Sequence, residues 1–145
     1  MVIVEHIRDV IAAASPPIAV VGAATGWRLG IGRMLDDPDT QITIYDSPGE
    51  HPSPLWLLDY PYVQVMVRGT PDGYQAARQK AQDVMDELLG IVPVTFSSGD
   101  RIDGITNIGT IGFVGADQRN RPMLSMNMRI IYEPAASTYT HRLPL

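Results

Sequence analysis

The sequence predicts an α+β domain: a mostly antiparallel sheet of four to five strands with two main helices packed on one face. Three observations predict it. Two stretches carry apolar residues at helical spacing, five alternate apolar and polar residues with the period of a strand, and clusters of proline and glycine separate them.

Val2 to Ala14 places Ile3, Ile7, Val10, Ile11 and Ala14 on one stripe, with Glu5, Arg8 and Asp9 elsewhere, so it reads as an amphipathic helix that Ser15-Pro16-Pro17 stops. After a Gly- and Ala-rich stretch, Trp27, Leu29 and Ile31 alternate with Arg28, Gly30 and Gly32 as a half-buried strand would. The turn Leu35-Asp36-Asp37-Pro38-Asp39 follows. Ile42 and Ile44 then alternate with Gln41, Thr43 and Tyr45, and the short connection predicts that this strand pairs antiparallel with the previous one in a hairpin.

From Asp46 to Pro61 the prolines Pro48, Pro52, Pro54 and Pro61 exclude both helix and central strand, leaving a long loop. Its apolar run Leu55-Trp56-Leu57-Leu58 argues against disorder. Trp56 then serves either as a lid on the protomer's own core or as an anchor in a neighbouring subunit. Tyr62 to Arg68 is a strand with Val63, Val65 and Val67 on the core side.

Thr70-Pro71 reads as a helix start and Gly90 as its stop, with Ala77, Ala81, Val84, Met85 and Leu88 forming the stripe that lies on a sheet. Two strands follow, near Ile105 to Val114 and Met123 to Tyr132, joined by the polar turn Gly115 to Asn120. Residues 1–133 are thus expected to form a single domain with the long loop 46–61, and 134–145 a C-terminal extension.

At 145 residues, 45% of them hydrophobic and 19% charged, the chain has the composition of one globular unit able to bury a core. No apolar run approaches membrane-spanning length, and no signal-peptide pattern opens the sequence. The absence of cysteine excludes disulfides, thiolate metal sites and a cysteine nucleophile. With a net charge of −5, a general electrostatic grip on nucleic acid is not expected. Ten of the eleven basic residues are arginine, the better residue for bidentate interface contacts, and Lys80 is the exception.

None of the patterns that carry chemistry is complete. Gly22, Gly26 and Gly30 lack the spacing and following helix of a dinucleotide-binding turn, and no Gly-Lys-Ser/Thr phosphate loop exists. Asp36, Asp37 and Asp39 are interrupted by Pro38 and lack a calcium loop's glycine and distant glutamate, so they read as turn residues. His6, His51 and His141 have no metal-ligand spacing, and Ser98 lacks a nucleophile elbow. A spatial carboxylate pair such as Asp59 and Asp103 has no positive support. The expectation is a non-enzyme without metal or cofactor. Apolar material in the Trp56 loop and in the tail, with Tyr139, Leu143 and Leu145, has its natural use in oligomerisation.

Several segments in order resemble one family. They are Ile31-Gly32-Arg33-Met34-Leu35-Asp36-Asp37-Pro38-Asp39, Ile42-Thr43-Ile44-Tyr45-Asp46, Pro54-Leu55-Trp56-Leu57-Leu58-Asp59-Tyr60-Pro61 and Val63-Gln64-Val65-Met66-Val67-Arg68-Gly69. Tyr74 through Ile91, Gly99-Asp100-Arg101-Ile102-Asp103-Gly104-Ile105, and Arg121-Pro122 leading to Asn127-Met128-Arg129-Ile130-Ile131-Tyr132-Glu133 continue the match. Together they resemble the minor capsid or tail terminator family of long-tailed bacteriophages, from Ile31 to Glu133. The resemblance implies a structural virion protein that forms a ring, a hexamer, on the end of the tail tube and joins it to the head. It further implies contact with the tail tube protein and a head completion or connector protein, while genomic DNA passes through without specific binding. No membrane is involved, and the protein resides in the virion tail or neck after assembly in the host cytoplasm. Candidate subunit or partner contacts are Leu55, Trp56, Leu57, Tyr139, Arg142, Leu143 and Leu145. The alternatives are another neck component, a head completion or stopper protein, and a small ligand-binding domain or enzyme.

Overall fold

The computed structural model describes residues 2–137 and 141–145. In chain order these form α1 (Ile3–Ala12), β1 (Val20–Val21), β2 (Arg28–Ile31), β3 (Gln41–Ser47), β4 (Tyr62–Arg68), α2 (Tyr74–Leu89), β5 (Val94–Thr95), β6 (Arg101–Ala116) and β7 (Pro122–Glu133). The strands make one mixed sheet of seven, in the order β1-β2-β3-β4-β7-β6-β5. This corrects the expected mostly antiparallel sheet of four to five strands. Two of the additional strands, β1 and β5, are two residues long and too short to leave a period in the sequence.

The expected hairpin is also corrected, because β2 and β3 pair in parallel, Leu29 beside Ile42 and Ile31 beside Ile44. A two-residue hairpin satisfies its own turn, whereas a parallel pair needs its connection carried back past the sheet end. Gly32, at φ +73°, begins that return. Its carbonyls are then collected by side chains from elsewhere. Arg68, at the end of β4, donates to the carbonyls of Leu35 (2.7 Å), Pro38 (2.8 Å) and Asp39 (2.9 Å). Gln41 accepts from Leu35 N and donates to the carbonyls of Leu35 and Pro38. An acidic turn thus folds inward around a buried guanidinium.

From β3 to β6 the sheet is antiparallel, with Ile44 opposite Val65 and Val65 opposite Met126. The period of two then sorts the side chains. Ile42 and Ile44, Val63, Val65 and Val67, and Leu124, Met126, Met128, Ile130 and Tyr132 are all buried in one cluster. Ile3, Ile7 and Ile11 of α1 and Ala77, Ala81, Val84, Met85 and Leu88 of α2 complete it. Each fully buried aliphatic side chain contributes about 1.5–3 kcal/mol by leaving water.

The start of α2 differs from the expected Thr70-Pro71. Gly73 N donates to Thr70 O (2.8 Å), and Asp72 adopts φ +60°, so residues 70–73 form a turn and the helix begins at Tyr74. At the other terminus of the fold, α1 buries His6 completely. Its Nε2 lies 2.8 Å from Asp100 Oδ2, and its ring stacks on Phe96 at 3.9 Å. Asp100 also accepts from Ala135 N (2.8 Å) and Ser98 Oγ (3.1 Å), so one carboxylate ties α1 to the end of the β6–β7 pair where β6 begins and β7 finishes. No helix among the described residues is long and apolar enough to cross a membrane.

Candidate assembly surfaces

The loop after β3 and the C-terminal tail, separate candidates in the sequence, meet in space. Ser53 Oγ accepts from Trp56 N (3.0 Å), giving the loop a local turn. Asp59 N and O then exchange hydrogen bonds with Tyr132 at 2.8 and 3.0 Å, which docks the loop on β7. On the sheet face away from the helices, Arg129 stacks over Tyr60 and pairs with Glu50 at 3.2 Å.

The tail closes this arrangement. Leu57 N donates to Leu143 O and Leu143 N to Leu55 O, both at 2.8 Å, so Trp56 and Leu143 form a parallel bridge. Arg142 places Nη1 at 2.7 Å from Asp59 Oδ1 and Nη2 at 3.1 Å from Oδ2, a bidentate pair shielded from most solvent. Nη1 also reaches the carbonyls of Ser53 and Trp56.

Of the predicted contact residues, Leu55, Trp56, Leu57, Arg142 and Leu143 are therefore brought together. Leu57 turns inward and is buried within its own protomer, while Trp56 remains 44% exposed with Leu55 and Leu143 beside it. Leu145 lines a shallow hollow with Leu57, Pro144 and Ala135. Tyr139 lies outside the described residues.

A second surface went unread in the sequence. Beyond Ile102, β6 carries no partner but β7 among the described residues, and Ile108, Phe113 and Val114 are exposed along it. Phe113 meets Tyr74 of α2 edge to face, with ring centroids 5.6 Å apart. The available signal was compositional: no charged residue stands between Gly104 and Ala116.

The polar clusters are structural in character. Asp36 and Asp39 pair with Arg121 at 3.0 and 3.1 Å, and Asp117 pairs with it at 2.7 Å. The hydrogen bond from Arg121 is the main cause that holds the Asp36 carboxyl below the usual carboxylate range. These carboxylates are neutralised by arginine and do not converge on a vacant centre. Asp59 is engaged by Arg142, and Asp103 by Arg101 at 2.6 Å. The Glu133 carboxyl is pushed up by its hydrogen bond with Asp103 and by burial. Among the described residues no group of histidine and carboxylate side chains could hold a metal ion.

The described residues thus form an acidic domain of one mixed seven-stranded sheet and two helices, with exposed apolar residues on its loop, tail and sheet edge. Residues 18–134 match the model of the bacteriophage tail terminator protein family, and the chain belongs to that family. It is a family of structural proteins of the virion tail. None of the curated proteins matches the chain.

Proposed function

We propose that the chain is a non-enzymatic terminator whose copies close into a ring, a hexamer, that caps the tail tube, halts its growth and offers the surface for head joining. The observation that carries this reading beyond the family is the Leu55, Trp56 and Leu143 patch. An exposed tryptophan between two exposed leucines, on a backbone locked by Arg142 and Asp59, has the makings of an interface anchor already ordered before binding. Residues 1–133 act as the folding unit, and 134–145 as an extension strapped back onto it.

The mechanism is surface complementarity. One face meets the tail tube protein and the other a head completion or connector protein, and a stable contact needs about 800 Å² per partner. Assembly takes place in the host cytoplasm, and genomic DNA passes through without specific binding. A net charge of −5 suits such a channel, since weak repulsion keeps DNA from sticking. Salt-sensitive, micromolar affinity for duplex DNA would count against that lumen.

The test is imaging of phage particles with an antibody against the protein, together with Trp56→Asp. A six-fold ring at the head–tail junction, lost or unable to join heads in the variant, is the expected result. A protein absent from the junction overturns the reading, and a variant that joins tails normally reduces Trp56 to a lid.

A further inference from the structure

The open edge of β6 is unusual for a chain of this size. β5 covers only Arg101 and Ile102, so the main-chain groups on that side have no strand beside them from Gly104 onward among the described residues. Natural edges of this length are guarded by charged residues, proline, bulges or a covering element, because an unguarded one pairs with whatever strand arrives. Here there is neither charge nor proline between Gly104 and Ala116. Breaks in register between Ile108 and Gly112 and between Phe113 and Gly115 bend the edge without making it polar. Ile108 is 41% exposed, and Phe113 and Val114 are each 58% exposed. Tyr74, stacked edge-on against Phe113, is itself exposed, so an aromatic ledge stands next to the open strand.

The opposite end of the same sheet is β1, where Val20 and Val21 are both exposed. One protomer therefore carries two unlike apolar edges on opposite sides of a single sheet. Unlike surfaces that fit each other generate head-to-tail contacts, and such contacts close into a ring when the rotation allows. A like-to-like contact between two β6 edges would stop at a dimer.

We propose that the β6 edge, with the Tyr74–Phe113 ledge, receives a second copy of this chain through that copy's β1 edge. Main-chain hydrogen bonds join the two sheets, and the ledge and Val114 supply the apolar contact. The inference rests on the ring reading of the preceding subsection, and names the surfaces that close the ring.

The chain lacks cysteine, so introduced thiols report without background. Tails assembled with Val21→Cys plus Gly112→Cys, two exposed positions, the second beside Phe113 with open space for a side chain, would be treated with a short bismaleimide. The expected product is a ladder of linked chains up to the full ring. Gly112→Cys alone giving efficient dimers overturns the proposal, since it places two β6 edges together. Hydrogen exchange supplies the second measurement on unsubstituted protein: amides in 104–116 should exchange roughly tenfold or more slowly in the ring than in the free chain. A ring whose 104–116 amides stay unprotected overturns the edge assignment while the terminator reading stands. Tails that carry no ring of this protein overturn both.

Discussion

Arg142 holds Asp59 with both of its terminal nitrogens, at 2.7 and 3.1 Å, and so joins the last residues of the chain to a loop more than eighty positions earlier. Arg142 Nη1 also bonds the Trp56 carbonyl at 3.2 Å, so the pair holds the backbone of the exposed patch.

Arg142→Ala should therefore loosen the tail before it loosens the core. The loss of charge-assisted hydrogen bonds at a partly shielded site is expected to cost about 1–2 kcal/mol in urea unfolding. The more specific sign is faster exchange of the Leu57 and Leu143 amides, which bond across the bridge. The exchanged pair Asp59→Arg with Arg142→Asp should recover part of that protection.

Neighbouring residues in the loop should behave in opposite ways. Leu57 is 1% exposed, so Leu57→Ala is expected to cost about 2–5 kcal/mol. Trp56→Asp should cost less, about 1–2 kcal/mol, because 44% of the residue is exposed and only the covered part of the indole is lost. Thermal melts of the purified variants decide it. A loss for Trp56→Asp as large as that for Leu57→Ala would mean that the tryptophan serves its own protomer as a lid.

Arg68 is expected to resist even conservative replacement. Its planar fork serves carbonyls of Leu35, Pro38 and Asp39 from one position, and an ammonium group cannot reproduce that geometry. Arg68→Lys should destabilise by about 1–3 kcal/mol, and Arg68→Ala by more, as partly buried carbonyls lose their donor. Equal stability of the Lys variant in urea would refute the geometric argument.

Acid should act through Asp100 among others. Burial raises its pKa, but the hydrogen bonds from His6, the Ala135 amide, Tyr132 and Ser98 together hold it below the ordinary 3.8. A carboxyl with a lowered folded pKa contributes stability that is fully present above its unfolded value and is lost as the pH falls through the folded one. The urea midpoint should accordingly drop on acidification below 3.8. Asp100→Asn should be less stable at neutral pH and show a shallower acid loss. Some loss should remain, since Asp36 and Asp117 are shifted the same way.

Features that a local period encodes could be read directly along the chain. The stripe from Ala77 to Leu88, the alternation of Val63, Val65 and Val67, and that of Leu124 to Tyr132 each declare their buried face, because periods of 3.6 and 2 arise within one element. The family was legible in the same way, as ordered segments along the chain. Strand direction was not, because Leu29 and Ile42 carry the same pattern whether their strands run parallel or antiparallel, and the connection between them is held by Arg68, 33 positions from Leu35, together with nearby Gln41. His6 occupied a position in the apolar stripe of α1, yet its partner Asp100 lies 94 residues away. The joining of Trp56 to Leu143, and the baring of the β6 edge, likewise depend on which segments meet across the sheet. Such meetings are settled by long-range hydrogen bonding and packing, which exist only once distant segments have come together in the fold.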